Sequence, residues 1–364
     1  MERQTYENQK MKITDKVSEV MDDYVKDAFS KLDETSVNFM KRLYDGRRNR
    51  ALNGGRLRDA IVAICLNICG IEELKKDHLR VIAAGEFYNM ASYYQNWHLD
   101  DKKEVKTDKD KKLCHIASHF FRELSMGIVF DTKFEDRIKL KLLKEISESN
   151  RAIQIGQSLE LNLLNSQNLN YSDDEKIRDR YLRRCYLFSG RFYGCSFAMA
   201  PIMAGKDDEK TNLFREIGIL FGTGGQIIND VGDFCLSIKI ANLPEKDYQD
   251  QFADLEKGTL TLPSYELSKY VNIHEYVGRK LTFEEKQKLL NIMIENKCFD
   301  SSRAQTNRMR NEIKRKISSL EKTSLRDELK TISGMFFNNN KFYVGLRKEC
   351  GYKWVGKYEP INSC

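Results

Sequence analysis

Proline is scarce in these 364 residues: there are four, at positions 201, 244, 263 and 360, and none before 201. Proline removes a backbone donor and clashes with the preceding turn, so its absence leaves the first half of the chain open to long helices. No uninterrupted apolar run approaches the roughly 20 residues that span a bilayer. Mean hydropathy is -0.59, so no stable membrane insertion is expected. Residues 1–16 lack the apolar core and small-residue cleavage site of a signal peptide, and a cytoplasmic location is expected. Long Val/Ile/Thr alternations are nearly absent, which leaves sheets little support. The 9 cysteines show no paired CxxC spacing, and Cys65, Cys69, Cys185 and Cys195 lie in apolar stretches. They read as reduced thiols serving as small core residues. Neither charge sign dominates: 61 Lys+Arg against 54 Asp+Glu gives +7. That excess suits a small anionic substrate, and no motif for binding nucleic acid is present.

What the chain does have is helical periodicity. Val17, Val20, Met21, Tyr24, Ala28 and Leu32 recur at three- and four-residue spacing, as do Ile61, Ile64, Cys65 and Ile68. Further helices are predicted over 181–203, 212–240, 283–296 and 302–321. Charged or polar loops are predicted over 101–112, 165–174, 206–211 and 242–258. No fixed-period repeat and no Pro- or Ser-rich linker divides the sequence. The expectation is an all-α protein, a single large helical domain over 1–364. His115 and His119 stand four apart, but no Glu follows His115 and no third ligand is near in sequence, so they read as helix-face histidines.

Two segments carry candidate chemistry. Residues 96–104 (NWHLDDKKE) close an aromatic-rich stretch containing Phe87, Tyr88, Tyr93 and Tyr94. On a helix Asp100 and Glu104 lie one turn apart with Asp101 adjacent, so three carboxylates can converge. Hard oxygen ligands of this kind suit magnesium, which keeps waters and bridges to substrate phosphates. Residues 218–234 (GILFGTGGQIINDVGDF) are apolar and glycine-rich, yet they carry Asn229, Asp230 and Asp233 on one side of a helix. Each helical glycine costs about 1 kcal/mol relative to alanine, so five of them suggest close packing or a ligand wall. A polar triplet in an apolar helix is costly to bury unless paired or metal-bound. Two acidic patches point to a shared metal–diphosphate site.

Five segments, in order, resemble the trans-isoprenyl diphosphate synthase (polyprenyl synthetase) family, over about residues 15–345. Residues 53–58 (NGGRLR) are similar to its GGKRLR segment, and 86–104 to the helix ending in its first aspartate-rich motif. Gly156 and Gln157 with Glu160 resemble GQxxD. Residues 226–233 (QIINDVGD) resemble QxxDDxxD, and 254–263 (DLEKGTLTLP) its Lys/Gly-rich TLP element. The resemblance implies an all-helical fold around a deep prenyl-diphosphate cavity, usually in a homodimer. It implies Mg2+ held by Asp100, Asp101, Glu104, Asn229, Asp230 and Asp233, with catalysis resting on Asp100, Asp101 and Asp230. Arg56, Arg58, Lys109, Gln226 and Lys257 are the implied diphosphate contacts. Tyr93, Tyr94, Trp97 and Phe188 would line a pocket for a short-to-medium prenyl chain.

The departures carry information too. Gly55 stands where the family has Lys, Asn89 where it has His, and Phe188-Ser189 where it has Lys-Thr. The family's RRG after the first motif is missing, although Lys106, Lys109, Lys111 and Lys112 occupy that stretch. Thr259 replaces the Lys before TLP, with Lys257 two residues away. Binding a second diphosphate needs several fixed cations, Arg above all. The depleted set points to ionisation of one allylic prenyl diphosphate without conventional elongation, by a terpene cyclase or a non-standard prenyltransferase. Asn229 is similar to the Asn that opens the second motif of class I terpene synthases, though Ser237 stands where those have Glu. The alternatives are a chain-elongating synthase of the geranyl to geranylgeranyl range and a non-catalytic subunit of a heteromeric synthase.

Overall fold

A computed structural model describes residues 2–30, 37–38, 40–46, 57–99, 107–163, 174–235, 251–320 and 324–338. Among these the regular elements are helices, as the periodicity predicts, and no strand occurs. None of the helices is long and apolar enough to cross a membrane. The chain divides into two compact units, residues 1–148 with 195–214, and residues 149–194 with 215–364.

The first unit contains α1 (Glu2–Phe29), α2 (Leu57–Ile68), α3 (Lys76–Leu99), α4 (Asp108–Phe130) and the start of α5 (Asp136–Leu163). Its core forms where α3 packs along α4. Phe121 of α4 is fully buried and lies between Phe87 and Tyr94 of α3, with ring centroids 6.4 and 5.8 Å away. The Tyr94 hydroxyl, also buried, donates to the carbonyl oxygen of Leu43 at 2.6 Å. Offset aromatic pairs like these add about 0.5–1.5 kcal/mol beyond their area burial.

The predicted loop over 101–112 ends earlier than expected, because α4 begins at Asp108. Thr107 and Asp110 form a capping box: the Thr107 side chain accepts from the Asp110 N–H, and the Asp110 carboxylate accepts from the Thr107 N–H. Such a cap contributes about 0.5–2 kcal/mol and sets the first turn.

The second unit holds the end of α5, α6 (Asp174–Cys185), a π-helical turn (Tyr186–Gly190), only the first residues of α7 (Arg191–Met203), whose remainder belongs to the first unit, and the larger part of α8 (Asp208–Cys235). It also holds α9 (Ala253–Lys257), α10 (Leu262–Leu267), α11 (Phe283–Glu295), α12 (Asp300–Ser318) and α13 (Ser324–Asn338). The loop predicted over 206–211 is likewise shorter. Asp207 accepts from the Lys210 N–H at 2.8 Å and starts α8 at Asp208. Part of the loop predicted over 242–258 is α9, closed by Gly258 in the left-handed region at φ 82°. Pro201 is accommodated in the last turn of α7.

Gly190 of the π turn and Gly222 of α8 serve close packing. A Cβ on Gly190 would stand 2.5 Å from Thr223 Oγ1, and one on Gly222 would collide with the Ser189 carbonyl oxygen. The backbone of the π turn therefore crosses α8 where neither side can carry a larger residue. Of the cysteines, Cys65, Cys69, Cys114, Cys185, Cys195 and Cys298 are buried free thiols.

Candidate functional site

The second acidic motif lies on α8, and its residues separate by environment. Asp230 is only 1% exposed. Its Oδ1 accepts from Gln226 Nε2 at 2.7 Å. Its Oδ2 accepts from the Tyr181 hydroxyl at 2.7 Å and from Arg184 Nη1 at 3.1 Å. Asn229, one residue earlier, is exposed. Asp233, one turn on, accepts backbone N–H groups from Ala253 at 3.1 Å and Asp254 at 3.3 Å, and so caps α9. That cap replaces the one that Phe252, the residue before α9, cannot supply with its own side chain. The side-by-side triplet predicted from helical spacing is thus one locked carboxylate, one outward amide and one capping carboxylate.

Arg184 of α6 completes this cluster. Its Nε donates to Glu160 Oε2 at 2.6 Å while Nη1 reaches Asp230, and its Cζ stands 5.9 Å from the Phe188 ring centroid. Burial alone would depress the guanidinium pKa, but the charges of Glu160 and Asp230 outweigh it and hold the group well above its ordinary value. Burial, reinforced by Asp230, likewise raises the Tyr181 hydroxyl, which stays a donor. Asp254 is pushed up to about 7 by burial and by the charges of Asp230 and Glu160, against the pull of Arg184 and Lys257. Asp233 is raised by burial and by Asp254. Carboxylates crowded in this way favour a bound cation.

Among the described residues, no group of three His, Cys, Asp or Glu converges tightly enough to enclose a metal ion. Magnesium does not need such a cage. It keeps several waters and binds through one or two carboxylates plus substrate phosphates. Asn229, Asp233 and Asp254 are oxygen donors of the right hardness; the oxygens of Asp230 and of Asp233 already accept hydrogen bonds, and a carboxylate has further lone pairs to give. The donor chemistry fits magnesium.

Several other predicted site residues take definite places. Arg58 pairs with the buried Glu86, Nε to Oε1 3.6 Å. Lys109 is exposed in the first turn of α4, and Lys257 is exposed at the end of α9. Gln226 spends its amide N–H on Asp230. Tyr93 and Trp97 pair at 5.0 Å between centroids on the partly exposed side of α3, while Tyr94 turns into the core. Phe188 lies in the π turn beside Arg184. His98, His115 and His119 form a short ring ladder with centroids 5.1 and 4.7 Å apart. Arg56, Asp100, Asp101 and Glu104 lie outside the described residues. Sequence reasoning passed over Tyr181, Arg184 and Asp254 as site residues. Residues 181, 184 and 188 do keep helical spacing, but nothing marks Arg184 as the inward member of the pair Arg183-Arg184.

Comparison with known proteins places this geometry. A decaprenyl diphosphate synthase from Rhodobacter capsulatus superposes with TM-score 0.71 at 13% identity, covering 92% of this chain and 98% of that one. A polyprenyl synthase from Caulobacter crescentus CB15, complexed with calcium and isoprenyl diphosphate, gives 0.72 at 15% identity, covering 91% and 96%. These likenesses define the fold as the all-helical one of the isoprenyl diphosphate synthases. Residues 113–293, about half the chain, match the polyprenyl synthetase family model, and the chain belongs to that family. Octaprenyl diphosphate synthases of Haemophilus influenzae and Escherichia coli are each 24% identical to it, over 188 and 185 residues. The chain spans about half the length of these curated relatives, 52% and 54%.

Proposed function

We propose that this protein is a magnesium-dependent prenyltransferase that takes an allylic prenyl diphosphate and extends it. The observation that carries the reading is the α8 cluster: Asn229, Asp233 and Asp254 offer oxygen donors around a buried, fully paired Asp230. The sequence favoured a cyclase or a non-standard prenyltransferase. The names of the relatives, octaprenyl and decaprenyl diphosphate synthases among them, support chain elongation over that preference. The calcium and isoprenyl diphosphate in the Caulobacter enzyme support a divalent cation and a prenyl diphosphate here.

Bound magnesium would neutralise the charge developing on the departing diphosphate. The chain's own part is to hold the donors still and to bring cations to the phosphate. Arg58, Lys109 and Lys257 are the described candidates for that task, with Arg56 and the carboxylates of Asp100, Asp101 and Glu104 completing the sequence-based set. Tyr93 and Trp97 offer aromatic faces to an allylic cation. A homodimer remains what the family resemblance implies.

Ionisation without elongation is the second reading, and Phe188 favours it. An aromatic ring stands there in place of a family cation, and the neighbouring Arg184 is committed to Glu160 and Asp230. A non-catalytic subunit is disfavoured by the retained Asp230 and Asp233. The testing experiment measures magnesium-dependent diphosphate release from geranyl, farnesyl and geranylgeranyl diphosphate, with isopentenyl diphosphate present, in the wild type and in Asp233→Ala. Release that needs magnesium and isopentenyl diphosphate and collapses in the variant supports the assignment. Release unaffected by either change overturns it.

A further inference from the structure

Arg184 lies in none of the acidic motifs, yet it is a deeply placed cation beside one of them. Its side chain is 6% exposed and joins Glu160 of α5 to Asp230 of α8. With Tyr181 and Gln226 it occupies both oxygens of Asp230. Holding Asp230 inward has two consequences on α8. Asn229, about 100° around the helix, is kept outward, and Asp233, nearly a full turn on, is kept against the N–H groups of Ala253 and Asp254. The clamp therefore fixes the rotation of the motif about the helix axis.

Stability alone does not account for this arrangement. A buried ion pair is often no better than well-packed apolar residues, so its use is better explained by orientation than by strength. The residue type also matters. A guanidinium fork donates in two directions and can span two carboxylates, which a lysine ammonium does as a point charge without fixed angles. The local backbone adds an independent observation. The π turn at 186–190 separates Arg184 from the glycine crossing at Gly190, so the rotation of α6 is set apart from the register of that crossing. Such turns are frequent at functional sites.

We propose that Arg184 is a positioning residue: by pinning Asp230 it sets the orientation in which Asn229 and Asp233 meet a divalent cation and diphosphate, without touching the substrate. This rests on the prenyltransferase reading above.

The test uses the full chain and its Arg184→Lys and Tyr181→Phe variants, with Mn2+ plus inorganic diphosphate as the probe. Cation affinity is read by calorimetry and by the manganese paramagnetic resonance signal, and folding by helicity and melting temperature. Residues that orient metal ligands change affinity by about 10–100-fold when replaced. Arg184→Lys should therefore keep its helicity and weaken Mn2+ binding by about tenfold or more, lowering kcat while KM for the allylic substrate moves little. Tyr181→Phe removes a donor and leaves no unpaired charge, so it should weaken Mn2+ binding less. It carries the test if Arg184→Lys fails to fold. Unchanged Mn2+ affinity in a folded Arg184→Lys, or in Tyr181→Phe should the first fail to fold, overturns the proposal. A wild type that binds no Mn2+ with diphosphate overturns the functional reading instead.

Discussion

Asp233 accepts the backbone N–H of Asp254 at 3.3 Å, so one carboxylate of the α8 cluster holds the start of the helix that carries the next. The site and the 253–257 helix are coupled through this contact. Asp233→Ala should lower turnover and also loosen the start of α9, at about 0.5–2 kcal/mol for a lost cap. Hydrogen exchange at Ala253 and Asp254, measured beside turnover, checks it. Unchanged exchange at both amides would remove the capping role.

Asp230 and Asn229 should respond differently although they are neighbours. Asp230→Ala leaves Arg184 only Glu160 and strips the acceptor from Tyr181 and Gln226. Removing one partner of a buried pair costs about 3–5 kcal/mol, so the melting temperature should fall with activity. Asn229→Ala removes an exposed amide and should depress magnesium-dependent turnover at an unchanged melting temperature. Thermal denaturation and initial rates on the two variants separate these outcomes. Equal losses of stability would show that Asn229 is not the outward member.

The glycine crossing predicts a packing defect. Gly222→Ala would drive a methyl into the Ser189 carbonyl oxygen. Alanine gains about 1 kcal/mol in helix propensity, while overpacking at such a contact costs about 1–3 kcal/mol. Net destabilisation is expected in urea unfolding. A more stable variant would mean the helices separate easily.

A pH dependence follows from Glu285, away from the cluster. Arg279 donates to its two carboxylate oxygens at 2.6 and 3.0 Å, and this pair, helped by the Thr282 N–H, lowers the Glu285 pKa from 4.5 to about 2. Because the folded value is depressed, the stabilisation is present above about 4.5 and is lost as pH falls through about 2. Glu285→Gln keeps an acceptor for the cap but not the charge. The variant should melt below the wild type at neutral pH, and the gap should close under acid. A gap independent of pH would assign the effect to the cap alone.

Much of the fold was legible because helix signals are local. The three- and four-residue apolar spacing marks α1 and α2, and α11 was read to within one residue, Phe283–Glu295 against 283–296. The misread boundaries at Asp108 and Asp208 came from caps, Thr107 with Asp110 and Asp207 with Lys210, that sit inside strongly charged stretches and look like loop. The candidate site was legible only as a set of residue types. Helical spacing placed Asn229, Asp230 and Asp233 on one side but could not tell which would be buried. That depends on Tyr181 and Arg184, about 50 positions away in sequence and adjacent only after α6 packs on α8. The depletion of cations at Gly55, Asn89 and Phe188 was also legible. What stands beside Phe188 was not: Arg184 lies over its ring from one turn earlier, committed to Glu160 and Asp230.

The most direct measurement of the central claim is product analysis with magnesium and farnesyl diphosphate, with and without isopentenyl diphosphate. A prenyltransferase that elongates should give a longer prenyl diphosphate only when isopentenyl diphosphate is present, and none in Asp233→Ala. Release of diphosphate with a hydrocarbon or alcohol as product, indifferent to isopentenyl diphosphate, would contradict elongation and restore the cyclase reading.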